Sequence, residues 1–161
     1  MTQELQPGDK APDFDLATDT GRVSLSGLKG KAVVLYFYPK DDTAGCTSQA
    51  LQFSSEVEEF AKLGAVIVGV SKDSAASHAK FRKKHDLTVE LAADATGETV
   101  EAYGAWVEKS MYGRKYMGID RSTFLIDREG VIRNVWRKVK VPNHIKAVLT
   151  AARALKEGAS K

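Results

Sequence analysis

Cys46 is the only cysteine of the chain, and the stretch before it, Pro39-Lys40-Asp41-Asp42-Thr43-Ala44-Gly45, sets what that sulfur can do. With one thiol per chain, an internal disulfide, a cysteine-based zinc cluster and a C-x-x-C dithiol are excluded. The spacing of such a dithiol is nevertheless kept, with Thr43 where the first cysteine would stand. A dithiol exchanges disulfides, whereas one thiolate beside a hydroxyl can attack an electrophile and hydrogen-bond to it. Gly45 lets the backbone come close to a small substrate. Asp41 and Asp42 are expected to be solvated or to cap the following helix, where acidic groups interact well with the dipole.

The elements around Cys46 give it a position. Residues 32–38, AVVLYFY, and 65–70, AVIVGV, are continuous apolar runs that predict buried central strands. Between them Ala50, Phe53, Val57, Phe60 and Ala61 recur at helical spacing and Gly64 stops the pattern, which predicts one long amphipathic helix. A strand–helix–strand crossover of this kind makes the strands parallel. Cys46 then falls at the carboxyl end of the first strand, in the first turn of the helix. There, unpaired N–H groups and the positive end of the dipole favour the thiolate.

Further along, Asp73 and Ser74 are candidate caps for a helix to about His85, with a thin inward face of Ala75, Ala79 and Phe81 or Arg82. A short strand near Glu90–Ala92 precedes a weak helix carrying Val100 and Tyr103. Lys109–Gly118 shows no steady period and is expected to be a loop. STFLID and VIRNVWRK, joined at Asp127–Gly130, predict an antiparallel hairpin, and a last helix shows Ile145, Val148, Leu149, Ala152 and Leu155 on one face. FDLATDTGRVSL predicts a small N-terminal hairpin turning at Asp19–Gly21. This order implies an α/β chain with the thioredoxin-type connectivity, a mixed central sheet flanked by helices, extended by the N-terminal hairpin and by an added strand and helix in the middle. One domain over residues 1–161 is expected.

Composition narrows the functional classes. Hydrophobic residues are 43% and charged residues 28% of 161, which fits neither disorder nor a fibre. No apolar run approaches the roughly 20 residues of a spanning helix, and the opening MTQELQPGDK has no secretory-leader pattern, so the expected compartment is the cytoplasm. The net charge of +3 is small, and although the residues from Arg128 onward are net basic, aromatic and basic residues do not interleave there. No nucleic-acid or membrane partner is expected. Glycine-rich phosphate loops are absent, and His78 and His85, seven apart on one helix, lack a third ligand, so neither a cofactor nor a metal is expected. Both histidines, and His144 in the first turn of the last helix, are expected at the surface. Trp106, Tyr112, Tyr116 and Met117 are expected to pack in the core or at a rim.

The segment Tyr38-Pro39-Lys40-Asp41-Asp42-Thr43-Ala44-Gly45-Cys46-Thr47 resembles the P-x-x-x-T-x-x-C motif of peroxiredoxins, and YFYPKDDTAGCT is similar to the bacterioferritin comigratory protein (BCP), or PrxQ, subgroup. The resemblance extends through GDKAPDFDL, GVSKDSAASHAKF, KSMYGRKYMGIDRSTFLID and WRKVKV, nearly the whole chain. It implies a thiol-dependent peroxidase of antioxidant defence. Cys46 would be the nucleophile that becomes a sulfenic acid, Thr43 would hydrogen-bond the peroxide, Pro39 would shield the thiolate, and Arg121 would pair with the thiolate and steady charge on the oxygens. Gly45, Gln49 and Tyr38 would support them around the substrate.

One departure changes the second half of that cycle. Many members of the subgroup carry a resolving cysteine five residues after the first or on the following helix, and those places hold Leu51 and Arg82 here. The expected cycle therefore uses an external thiol from thioredoxin, glutaredoxin or glutathione. The subgroup is often monomeric, so a monomer is expected. The alternatives are a peroxide sensor or redox adaptor that oxidises at Cys46 without efficient turnover, and a thiol-inert binding module or chaperone-like protein that merely keeps the fold.

Overall fold

The computed structural model describes residues 4–159. Its strands are β1 (Asp15–Thr18), β2 (Gly21–Ser24), β3 (Ala32–Phe37), β4 (Ala65–Ser71), β5 (Glu90–Ala93), β6 (Trp106–Met111), β7 (Arg114–Ile119), β8 (Ser122–Ile126) and β9 (Ile132–Trp136). The helices are α1 (Ala44–Ser55), α2 (Val57–Lys62), α3 (Ala75–His85), α4 (Glu98–Ala102) and α5 (His144–Ala159). Seven strands form one mixed sheet in the order β2-β1-β5-β4-β3-β8-β9. β4 runs parallel to both β3 and β5, while the pairs β3–β8, β8–β9, β1–β5 and β1–β2 are antiparallel.

β3 is buried along its whole length, and its alternation feeds two apolar layers. Val34, Tyr36 and Tyr38 face a core built with Cys46, Phe53 and Phe60 of the first two helices, Phe81 of α3 and Val148 of α5. Val33, Leu35 and Phe37 face the opposite core with Val100, Tyr103 and Phe124. Period-two alternation on a doubly covered strand gives this division, and it explains why the segment reads as one unbroken apolar run. Tyr36 lies across β4 at Gly69, its register partner, and a Cβ there would come within 2.6 Å of the Tyr36 ring.

Three segments differ from the sequence expectations. Lys109–Gly118 is no loop, because it supplies most of an antiparallel two-stranded ribbon, β6–β7, turning at Tyr112 and Gly113 outside the main sheet. The ribbon is mostly exposed on both faces, so no alternation marks it. Met111, Tyr116 and Met117 are exposed and Tyr112 is 98% exposed, so these side chains do not pack in a core. The helix expected through residues 50–62 is two helices. The chain breaks at Glu56 (φ −109°, ψ 5°), whose N–H bonds the carbonyl of Phe53 at 3.1 Å. On α3 the inward face is His78 and Phe81, and Ala79 is exposed. The Ser74 cap is present, its Oγ accepting from the Ser77 N–H at 3.1 Å. Among the described residues no helix is long and apolar enough to cross a membrane.

Candidate active site

Cys46 is the third residue of α1 and is 2% exposed. Thr43 is the N-cap residue in extended conformation (φ −91°, ψ 157°), and its carbonyl accepts the first helical bond from the Thr47 N–H at 2.8 Å. The Thr43 side chain caps nothing. Its Oγ1 donates to the Lys40 carbonyl at 2.9 Å, which commits its proton to the loop and leaves its lone pairs to accept. Pro39 is exposed in the bend that ends β3.

Arg121 reaches this helix start from the residue just before β8. Its Nη2 donates to Cys46 Sγ at 3.4 Å and its Nη1 to Gln49 Oε1 at 2.6 Å. The antiparallel pairing of β3 with β8, in which Phe37 faces Ser122, brings the arginine beside the end of β3 although 75 residues separate it from Cys46. A Cβ on Gly45 would stand 3.1 Å from Arg121 Nη2. The missing side chain therefore makes room for the guanidinium, a more specific role than the open approach expected from sequence. Gln49, fully buried one turn after Cys46, leaves its Nε2 without a hydrogen-bond partner, as does the buried Tyr36 hydroxyl.

A second cluster lies behind the loop. The Tyr38 hydroxyl donates to Asp41 Oδ1 at 2.6 Å, and Asp41 Oδ2 meets His78 Nδ1 at 2.7 Å and the Ser77 hydroxyl at 2.8 Å. Burial alone would raise the Asp41 pKa, but hydrogen bonds from His78, Tyr38 and Ser77 together with the His78 charge hold it below the usual carboxylate range. Burial, reinforced by Tyr36 and by the negative charge of Asp41, pushes the Tyr38 phenol well above its ordinary value. Asp41 and His78 are thus buried and paired, not solvated. His144 is also buried, bonded through Nε2 to the Thr123 hydroxyl at 2.8 Å, and its pKa is lowered to about 4 by burial and then by the Arg121 charge.

Sequence reasoning missed this cluster, although one signal was present. The seven-residue spacing of His78 and His85 does define a face of α3, and that face meets two consecutive acids: His78 meets Asp41, and His85 meets Asp42 at 2.8 Å. Among the described residues no group of three or more His, Cys, Asp and Glu side chains could hold a metal ion.

A buried thiol at a helix start, under a guanidinium supplied by an antiparallel neighbour of the preceding strand, has the arrangement that attack on a small electrophile requires. Residues 7–135 match the model of the AhpC/TSA family, and the chain belongs to that family: it is a thioredoxin-fold thiol peroxidase. It is 49% identical over 158 residues to the peroxiredoxin Bcp of Bacillus subtilis, covering 98% of this chain and 99% of that protein. It is likewise 49% identical over 146 residues to a putative Bcp of Coxiella burnetii, covering 90% and 97%. Within the family it is a peroxiredoxin of the BCP/PrxQ group.

Solved structures agree. The Xanthomonas campestris bacterioferritin comigratory protein, described for its alkyl peroxide reduction activity, superimposes with a TM-score of 0.85 at 42% identity, covering 89% of this chain and 92% of that one. A cysteine-to-serine mutant of Xylella fastidiosa PrxQ gives a TM-score of 0.89 at 35% identity, covering 95% and 98%. The Xanthomonas protein has been solved with serine at either of two cysteines, 36 positions apart. Thirty-six residues after Cys46 this chain has Arg82, whose guanidinium donates to Asp19 Oδ2 and Oδ1 at 2.6 and 3.1 Å and to the carbonyls of Leu87 and Val89 at 2.8 and 2.7 Å.

Proposed function

We propose that the chain works as a one-cysteine peroxidase whose second thiol comes from another molecule. Cys46 as thiolate attacks the terminal oxygen of a hydroperoxide, ROOH. The S–O bond forms as the O–O bond breaks, and the leaving RO⁻ takes up a proton as alcohol, or as water when R is hydrogen. The 3.4 Å contact between Arg121 Nη2 and Cys46 Sγ carries this reading, because a guanidinium there stabilises negative charge as it moves from the sulfur onto the leaving oxygen. Gln49 Oε1 holds the same guanidinium in place. Thr43, its proton given to Lys40, accepts a hydrogen bond from the peroxide O–H. Pro39 limits water at the loop, Gly45 leaves room for Arg121, and Tyr38 supports the loop through Asp41.

The sulfenic acid then condenses with an external thiol, R′SH, giving Cys46–S–S–R′ and water. A second R′SH releases the Cys46 thiol and R′S–SR′. Thioredoxin, a glutaredoxin or glutathione has the required chemistry, and a reducing cytoplasm is the compartment that supplies it. The working unit in this reading is a monomer folded as one domain.

The test is hydrogen peroxide or an alkyl hydroperoxide supplied with each reductant in turn, followed by intact mass. Sustained peroxide consumption with a mixed-disulfide adduct on Cys46 is the expected result. Oxidation of one equivalent without turnover by any thiol would favour a sensor. Full peroxidase activity in Cys46→Ser would end the reading.

A further inference from the structure

Two consecutive acids lie in the loop between β3 and α1, and α3 binds both. Asp42, at φ 61° in the left-handed region, accepts from Lys84 Nζ at 2.7 Å and from His85 at 2.8 Å. This clip is exposed and worth little. The clip at Asp41 is buried. Its carboxylate takes Ser77, His78 and Tyr38, and its backbone N–H donates to Asp73 Oδ2 at 2.8 Å, an oxygen held in turn by the Ser71 hydroxyl at 2.7 Å.

His78 is the centre of this arrangement. It is fully buried, and its Nε2 lies 3.0 Å from the carbonyl of Ala92 in β5. A carbonyl only accepts, so Nε2 carries a proton. At the other end of the ring, Nδ1 and Asp41 Oδ2 share a hydrogen bond of 2.7 Å. A ring bonded at both ends therefore spans from the sheet to the loop. From Asp41 the connection is short: the preceding carbonyl, Lys40, receives the Thr43 hydroxyl, and Thr43 is the residue on which α1 and its Cys46 begin.

We infer that His78 is a positioning residue for the reaction of Cys46 with peroxide, fixing through Asp41 the Lys40–Thr43 turn that presents the Thr43 hydroxyl. It does not touch the peroxide. This rests on the peroxide reading of Cys46 given above. A misplacement of the reacting groups by about 1 Å can cost on the order of 100-fold in rate, so a support of this kind bears on rate without contributing to the chemistry.

The variants His78→Gln, His78→Leu and Ser77→Ala separate positioning from mere support of the fold. Each is reacted under single-turnover conditions with hydrogen peroxide and, separately, with iodoacetamide. The alkylating agent consumes the same thiolate but does not use the Thr43 turn. The peroxide rate is expected to fall about 10- to 100-fold in His78→Leu. It should fall less in His78→Gln, which keeps one amide donor, and about 3-fold in Ser77→Ala, which removes a single donor from Asp41. The iodoacetamide rate should stay within about 2-fold of wild type throughout. Equal peroxide rates in the variants and wild type overturn the inference, and so does a parallel loss of both rates. If His78→Leu does not fold, Ser77→Ala and His78→Gln decide the matter by the same ratio. A wild-type protein inert to peroxide brings down the proposed function itself, whereas a reactive wild type with equally reactive variants removes only the role of His78.

Discussion

Replacing Gly45 by alanine should raise or preserve stability while slowing the reaction with peroxide. The new Cβ would lie 3.1 Å from Arg121 Nη2 and 3.8 Å from Cζ, so the guanidinium must retreat by a few tenths of an ångström. It is tethered at 2.6 Å to Gln49 and sits 3.4 Å from Cys46 Sγ. A retreat that lengthens the sulfur contact to about 3.8 Å weakens a charge–charge attraction by about 0.5 kcal/mol at an effective dielectric of about 20. Poorer hydrogen-bond alignment adds up to about 1 kcal/mol. Together these predict a rate about 2- to 10-fold lower. Alanine meanwhile is better than glycine by about 0.5–1 kcal/mol inside a helix, and by less in the first turn. The assay is rapid quenching of a single turnover with hydrogen peroxide, with oxidised Cys46 quantified by intact mass, alongside urea unfolding of the reduced protein. An unchanged rate would show that the guanidinium does not depend on the space left at Gly45. A rate loss accompanied by an equal loss of stability would refute the reasoning as well, since the helix itself would then have been damaged.

Three further outcomes follow from groups outside the reacting set. Tyr36→Phe removes a buried hydroxyl that has no partner and should stabilise the fold by about 1 kcal/mol in urea unfolding; destabilisation would show that the hydroxyl is bound to something, such as a buried water. His144 is held neutral, with its pKa lowered to about 4, so the unfolded chain binds the extra proton. Its contribution is complete above about pH 6.5 and is lost as the pH falls from there towards 4, by at most about 1.4 kcal/mol per pH unit, and unfolding of His144→Gln should show a shallower slope in that window. Arg82→Ala leaves Asp19 buried without its cation and frees two carbonyls, at a cost of about 2–4 kcal/mol in the same unfolding assay.

The residues to which the proposed chemistry is assigned are legible because their signals are local. A cysteine three places after a threonine, behind a proline that ends an apolar strand, is visible in ten residues, and so are β3 and β4 as buried runs. The parallel crossover followed from those elements. Arg121 was reached only by resemblance, since its approach to Cys46 depends on β3–β8 register over 75 residues. The ribbon β6–β7 escaped for the opposite reason: a strand solvated on both sides has no buried face to write a period into the sequence. His78 and His144 read as surface residues because nothing in the residues beside them marks a buried partner. What buries them is a partner 37 residues away in one case and 21 in the other, and residue type alone does not reveal a satisfied polar contact.

The two clips that join the loop to α3 also make a mechanical unit. With Asp41 and Asp42 bonded at Ser77, His78, Lys84 and His85, the grip runs from the first turn of α3 to its last, and the loop cannot open without either breaking those bonds or carrying the helix with it. Amide exchange in α3 and in the first turn of α1 should therefore report one cooperative opening event rather than two, with matched protection. Added salt screens the exposed Asp42–Lys84 pair far more than the buried Asp41–His78 pair, so it should leave that shared protection nearly unchanged.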